Sequence, residues 1–310
     1  MANIPFNALV AMIAILSFLG VATVIQVVMV KSNPSKDFTE LRQRITSWWW
    51  IIGLLFIFLG IGTNAAIVFF AFISYLALKE FLSIVSTRQV DRSVVFWAYL
   101  CIPLQYYWVS IGWYGLFIIF IPVYMFLFIP MRMVMKGETE GFIKAAGILH
   151  WAVMLTVFSV SHIAYLLVLP EKNVSAGGIG LVLYLLFMTQ FNDVNQYLWG
   201  KSIGKRKIIP KVSPNKTWEG FIGGVVTITL VAGFIAPYLT PLNHLQGFVA
   251  GLIISVSGFV GDVVISSVKR DLNIKDCGQL LPGHGGILDR MDSLIYTAPL
   301  FFHYIYYLYY

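Results

Sequence analysis

The chain has 310 residues, 59% of them hydrophobic and only 11% charged, with a formal net charge of +7. Soluble domains carry about 25% charged residues, and a chain of this size has too little interior to hide so much apolar surface. A soluble globular enzyme, a disordered chain and a disulfide scaffold are therefore excluded, and the composition predicts an all-α polytopic integral membrane protein. The apolar runs are continuous, whereas the strands of a transmembrane barrel alternate apolar and polar residues.

A spanning helix needs about 20 mostly apolar residues. Ten such segments are read along the chain, at 6–30, 47–63, 65–84, 93–109, 112–130, 146–169, 178–199, 218–239, 246–267 and 293–310. The second and third are short and predict a tight hairpin around Gly62-Thr63-Asn64, so the expected number of spans is eight to ten. No Lys or Arg precedes the first segment, which reads as a span rather than a cleaved leader. Trp48-Trp49-Trp50 reads as an interfacial belt, and His150 and His162 as packed helix residues. Cys101 and Cys277 permit at most one disulfide and lack metal-ligand spacing.

The positive charge invites a nucleic-acid reading, but its placement argues for topology. With both termini outside, the inside loops are 31–46, 79–92, 131–145, 200–217 and 268–292, and they hold every one of the 21 Lys and Arg residues except Lys172. That distribution follows the positive-inside rule and puts these loops in the cytoplasm. No nucleic-acid partner is expected.

The two halves of the chain differ in chemistry. Residues 1–175 read as a transmembrane scaffold with no acidic residue inside a span, and residues 176–310 as the catalytic region. Asp193 and Asp262 lie inside apolar segments, each seven or eight residues before a basic cluster (Lys201 and Lys269). That spacing sets both roughly 10–12 Å from the cytoplasmic helix end. Ionisable residues at that depth are costly and mark a polar cavity. Thr189, Gln190, Asn192, Asn195 and Gln196 surround Asp193 with polar groups. Further on, Lys269-Arg270 precede His284-Gly285-Gly286 and Asp289-Arg290-Met291-Asp292. Asp289 and Asp292 share a helical face and suit a hard cation such as Mg2+. Glycines admit backbone N–H groups close to an anion, and Lys and Arg neutralise phosphate oxygens. These are the components of phosphoryl or nucleotidyl transfer. In the preceding basic loop, Ser213 reads as the N-cap and Pro214 as the first residue of a helix, with Lys216 beside an anion-binding N-terminus.

Residues Ser266 through Asp292 match every position of S-x-x-K-R-x4-K-D-x-[GSA]-x2-[LIF]-[PG]-x-H-G-G-x2-D-R-x-D. The chain thereby resembles the phosphatidate cytidylyltransferase family, the CDP-diacylglycerol synthases. Lys211 to Gly224 is similar to that family's K-V-S-P-x-K-T-x-E-G segment, and Asp193, Tyr197 and Gly200 to its D-x3-Y-x2-G element. The resemblance implies a multi-spanning inner-membrane enzyme, its active site facing the cytoplasm, which joins CTP to phosphatidic acid. It implies Mg2+, with a monovalent cation such as K+ beside it, in a polar cavity open to cytoplasm and lipid. The implied metal residues are Asp262, Ser266, Asp289 and Asp292, together with Asp193. The catalytic set is Asp262, Lys269, Arg270, Asp289 and Asp292, and Lys211, Ser213, Lys216, His284, Gly285, Gly286 and Arg290 form the nucleotide-binding set. A homodimer is admitted. Two positions depart from the family: Ile265 stands where Glu is common, and Asn195 and Gln196 where small residues are common. The alternatives are a related CTP-dependent lipid kinase and a non-enzymatic lipid or ion transporter. The D-G-x2-A-R…G-x3-D-x3-D pattern of CDP-alcohol phosphotransferases does not occur in the chain.

Overall fold

The computed structural model describes residues 4–32, 37–85, 87–280 and 285–310. Apolar segments without water must satisfy their backbone groups internally, and here they do so as helices. In chain order these are α1 (Phe6–Ser32), α2 (Thr39–Ile61), α3 (Thr63–Ile84), α4 (Arg92–Ser110), α5 (Tyr114–Val134), α6 (Phe142–Tyr165), α7 (Gly177–Ile203), α8 (Trp218–Leu239), α9 (His244–Asp271), the single turn α10 (Leu288–Met291) and α11 (Leu294–Tyr309). Eight of them, all but α4, α10 and α11, are long and apolar enough to cross a membrane. The hairpin expected at Gly62 is present, since α2 ends at Ile61 and α3 begins at Thr63. A π turn at Phe120–Met125 in α5 accommodates Pro122, which has no N–H to donate.

The helices α7, α8 and α9 pack most intimately. At the α8–α9 crossing, a Cβ on Gly247 would collide with Ala236 and stand 3.0 Å from the backbone of Gly233, so only glycine lets the helices approach this closely. In contrast, α1 buries only Ala8, Met12, Leu19 and Gln26, and it leaves a broad apolar surface outward.

The two ends of the bundle have different compositions. At one end, Asn7 N–H donates to the Ser175 carbonyl, the Asn7 amide to Tyr238, and the Tyr310 hydroxyl to Pro170. Both termini thus share an end with the loop that holds Lys172. At the other end lie the 204–217 and signature loops, and Arg88 binds Asp91 and the carbonyls of Glu138 and Glu140. This segregation agrees with the charge-based topology.

Candidate active site

Three carboxylates arrive from three elements: Asp193 from α7, Asp262 from α9, and Asp292 from the junction of α10 and α11. The Ser293 hydroxyl lies 3.1 Å from both oxygens of Asp193 and donates to them. Ser266, one turn beyond Asp262, donates its hydroxyl to that carboxylate at 3.2 Å. Asp292 accepts the Ser293 backbone N–H at 2.7 Å. The charges of Asp193, Asp262 and Asp292 act on one another, and Arg290 acts on Asp193 and Asp292.

Lys216 reaches this cluster from the loop between α7 and α8. Its Nζ is 2.6 Å from Asp262 Oδ2 and 3.3 Å from Gln196 Oε1, and it sits 5.6 Å from the centre of the Phe259 ring. Burial opposes the charge on Lys216, but Asp262 and Asp193 outweigh it and hold the ammonium above the ordinary lysine pKa. Asp193, Asp262 and Lys216, with Lys201, Lys207 and Ser213, line a cavity of about 600 Å³.

The loop that delivers Lys216 departs from the sequence reading. Ser213 is not a helix cap, and Pro214 does not open a helix. Residues Lys207 and Thr217 pair as an antiparallel bridge, Trp218 N–H donates to the Arg206 carbonyl, and Glu219 accepts the N–H groups of Lys205 and Arg206. Helix α8 is capped by Thr217 instead, whose hydroxyl accepts the Gly220 N–H at 3.2 Å. The clasp takes up the backbone groups that a helix would have paired, so the loop projects Lys216 inward. Arg270 fixes the same loop by donating its Nε–H to the Val212 carbonyl at 3.1 Å. Lys211 is exposed next to Val212.

Asp289 occupies a second, separate group. Its carboxylate pairs with Lys269 Nζ at 2.9 Å and accepts N–H groups from Cys277 at 2.8 Å and Gly286 at 2.9 Å. Beside it, Glu80 of α3 accepts the N–H groups of Ile287 at 2.9 Å and Leu288 at 3.0 Å. Gly285 has φ of +79°, a left-handed conformation that favours glycine, and a Cβ on Gly286 would collide with the Glu80 carboxylate. His284 lies outside the described residues.

Asp193, Asp262, Lys216 and Ser213 therefore meet at the cavity, with Ser266 bonded to Asp262 and Asp292 acting on both aspartates through its charge, while Asp289 pairs with Lys269, which also feels Asp292, and anchors the signature loop. Glu80 corrects the expectation that no acidic residue lies within a span of the first half. The signal was present, an acidic residue in the last turns of α3, but nothing in its spacing pointed to residues 207 positions away. Gln196 was read as a polar neighbour of Asp193 but not as the partner of Lys216, and Ser293 was not singled out at all. The Ile265 side chain is fully buried in the core, and Gln196 serves as the acceptor for Lys216.

Asp193, Asp262 and Asp292 offer only hard oxygen donors and feel one another's charge, with Lys216, Arg290 and Lys269 as the cations acting on them, whereas the acidic and thiol ligand atoms that lie within 4.8 Å of one another among the described residues are those of Glu80, Cys277 and Asp289. Oxygen donors of this kind suit a hard divalent cation, and neighbouring like charges are tolerated best where a cation joins them.

The model of the cytidylyltransferase family matches residues 42–308 of this chain. The protein named Uncharacterized protein YnbB from Escherichia coli (strain K12) is 45% identical over 291 residues, which cover 94% of this chain and 96% of its own length. The phosphatidate cytidylyltransferase of Bacillus subtilis (strain 168) is 41% identical over 133 residues, 42% of this chain and 49% of its own. That of Haemophilus influenzae is 40% identical over 135 residues, 42% of this chain and 46% of its own. The similarity to these two enzymes spans about half of their length.

Proposed function

The chain belongs to the cytidylyltransferase family, and from that premise we propose that it is a CTP:phosphatidate cytidylyltransferase, transferring CMP from CTP to phosphatidic acid to give CDP-diacylglycerol and pyrophosphate in phospholipid biosynthesis. The observation that carries this reading is the meeting of Asp193 and Asp262 with Lys216 at a polar cavity between membrane helices, with the charge of Asp292 acting on both aspartates from behind the cavity wall.

An oxygen of the lipid phosphate attacks the α-phosphorus of CTP. A new P–O bond forms there, the bond from the α-phosphorus to the bridging oxygen breaks, and pyrophosphate leaves with the electron pair. The attacking phosphate is already an anion near neutral pH, so the step needs no strong general base. Its difficulty is repulsion between two polyanions, and preorganised positive charge lowers that cost. Lys216, Lys201 and Lys207 present ammonium groups along the cavity. Gln196 and Phe259 hold Lys216 in place, and Ser293 and Ser266 orient Asp193 and Asp262. Asp193, Asp262 and Asp292 would hold Mg2+, which when bound neutralises phosphate charge and aligns the reacting groups. The same oxygens suit a monovalent cation such as K+. Lys269 and Asp289 hold the loop that carries Asp292.

The end of the bundle that contains the signature loop faces the cytoplasm in this reading, within the inner membrane, because nearly all basic residues lie there. The test is purified protein with labelled CTP and phosphatidic acid, with and without Mg2+. CDP-diacylglycerol and pyrophosphate are expected only with Mg2+. Release of CDP would identify a lipid kinase instead, and absence of any turnover would leave transport as the better reading.

A further inference from the structure

The reaction places a lipid phosphate at the carboxylate cluster, yet Asp193 lies ten residues before the end of α7, roughly 15 Å along the helix. A lipid drawn in that far carries its acyl chains inward by the same distance. The chains then need apolar room beyond the midplane, and the protein has it. A cavity of about 180 Å³ starts at Arg290 and Gln190 and runs between Trp48, Leu55 and Phe70. A second, of about 620 Å³, follows α1 from Phe6 to Phe18 against α7 and α8. Ile15, Leu183 and Phe187 line both cavities, so the two lie side by side there. Phe6 to Phe18 covers about 18 Å of α1, more than half of a hydrocarbon core roughly 30 Å thick.

At the inner end stands Arg290, the one charged side chain among the residues lining either cavity. Its Nε is buried and has no hydrogen-bond partner among the described residues, and its charge acts on Asp193 and Asp292. A buried guanidinium N–H without an acceptor is costly unless a ligand supplies one, and Arg is well suited to a phosphate. Apolar walls ending in one cation match a phosphate that carries long hydrocarbon chains.

We propose that the two cavities form one slot for the acyl chains of phosphatidate and that Arg290 receives the lipid phosphate rather than a phosphate of the nucleotide. The proposal rests on the cytidylyltransferase reading for the identity of the lipid, but it is a statement about binding. Bulk lipid fills any outer groove without regard to headgroup, whereas this slot selects a phosphomonoester.

The test uses the full-length protein in phosphatidylcholine vesicles with a phosphatidate that carries a photoreactive diazirine on one acyl chain. Label is expected on 6–18 and 183–187. Excess unlabelled phosphatidate removes it, added phosphatidylcholine does not, and Arg290→Gln abolishes that difference. Ala14→Trp fills the slot from the exposed side of α1. Displacing about two methylenes raises the KM for long-chain phosphatidate roughly tenfold, while the KM values for a dihexanoyl phosphatidate and for CTP stay unchanged. Equal competition by phosphatidylcholine, label elsewhere, crosslinks to a second copy at α1, or an equal effect of Ala14→Trp on both lipids would overturn the slot. Failure of the catalytic reading is a different result: no CDP-diacylglycerol from any phosphatidate, with the headgroup selectivity of labelling still deciding the slot.

Discussion

Glu80→Ala removes the carboxylate by which α3 holds the signature loop among the described residues. In the native chain that carboxylate accepts two backbone N–H groups, from Ile287 at 2.9 Å and Leu288 at 3.0 Å, both on buried residues. A buried N–H left without an acceptor costs about 1–3 kcal/mol, so two cost about 2–6 kcal/mol. An opposing contribution comes from Asp289, whose carboxylate lies within 4.8 Å of that of Glu80. Two like charges at that separation repel by roughly 3 kcal/mol at an effective dielectric near 20, and Lys269 already offsets part of this. The net penalty on the closed loop is then about 1–3 kcal/mol, a roughly 10- to 100-fold loss of kcat/KM if only the closed loop positions Asp292. Glu80→Gln keeps one oxygen acceptor and relieves the repulsion, so its loss is smaller. Two measurements check this in membranes: turnover of CTP with phosphatidate, and maleimide labelling of Cys277 in a Cys101→Ser background. Cys277 is buried beside Asp289 and becomes reactive as the loop opens. Wild-type turnover in Glu80→Ala with an unreactive Cys277 would refute the reasoning.

Three further outcomes are expected. Lys216→Met leaves Asp262 without its ammonium partner and lowers kcat/KM by ~10²-fold or more at normal protein levels, and Lys216→Arg restores little, because the site fits a compact point charge rather than a planar fork; full activity in the arginine variant counts against this. Asp193→Asn and Asp292→Asn keep size and hydrogen-bonding capacity but lose charge, so both accumulate in membranes, turn over ~10²–10³-fold more slowly and need more Mg2+, an unchanged Mg2+ titration being the adverse result. Cysteines placed at Glu171 and at Lys136 label from opposite sides of sealed vesicles, and labelling of both from one side would remove the proposed topology.

The sequence alone determined the solvent in which the chain folds, because 59% hydrophobic residues in continuous runs leave no alternative to membrane helices. It determined which loops share a side, since Lys and Arg cluster in alternate connections. It also singled out residues 266–292, which carry carboxylates, glycines and basic residues at fixed local spacings. What it left open depended on distance in the chain. Asp289 and Asp292 are three residues apart and read as one pair, yet the fold turns the first toward Lys269 and Glu80 and the second toward Asp193 and Asp262. Helical periodicity places two side chains on one face but says nothing of which neighbours meet that face. Lys216 was expected near a helix N-terminus, but the bridge between Lys207 and Thr217 decided where it points. Glu80 was visible as an acid inside an apolar segment, but nothing local named its partners. Its role exists only because α3 packs against the start of α10, 207 residues later in the chain. Local propensity and charge bias are written residue by residue, whereas the partners of a buried charge are chosen by how helices pack, and only the tertiary structure makes that choice.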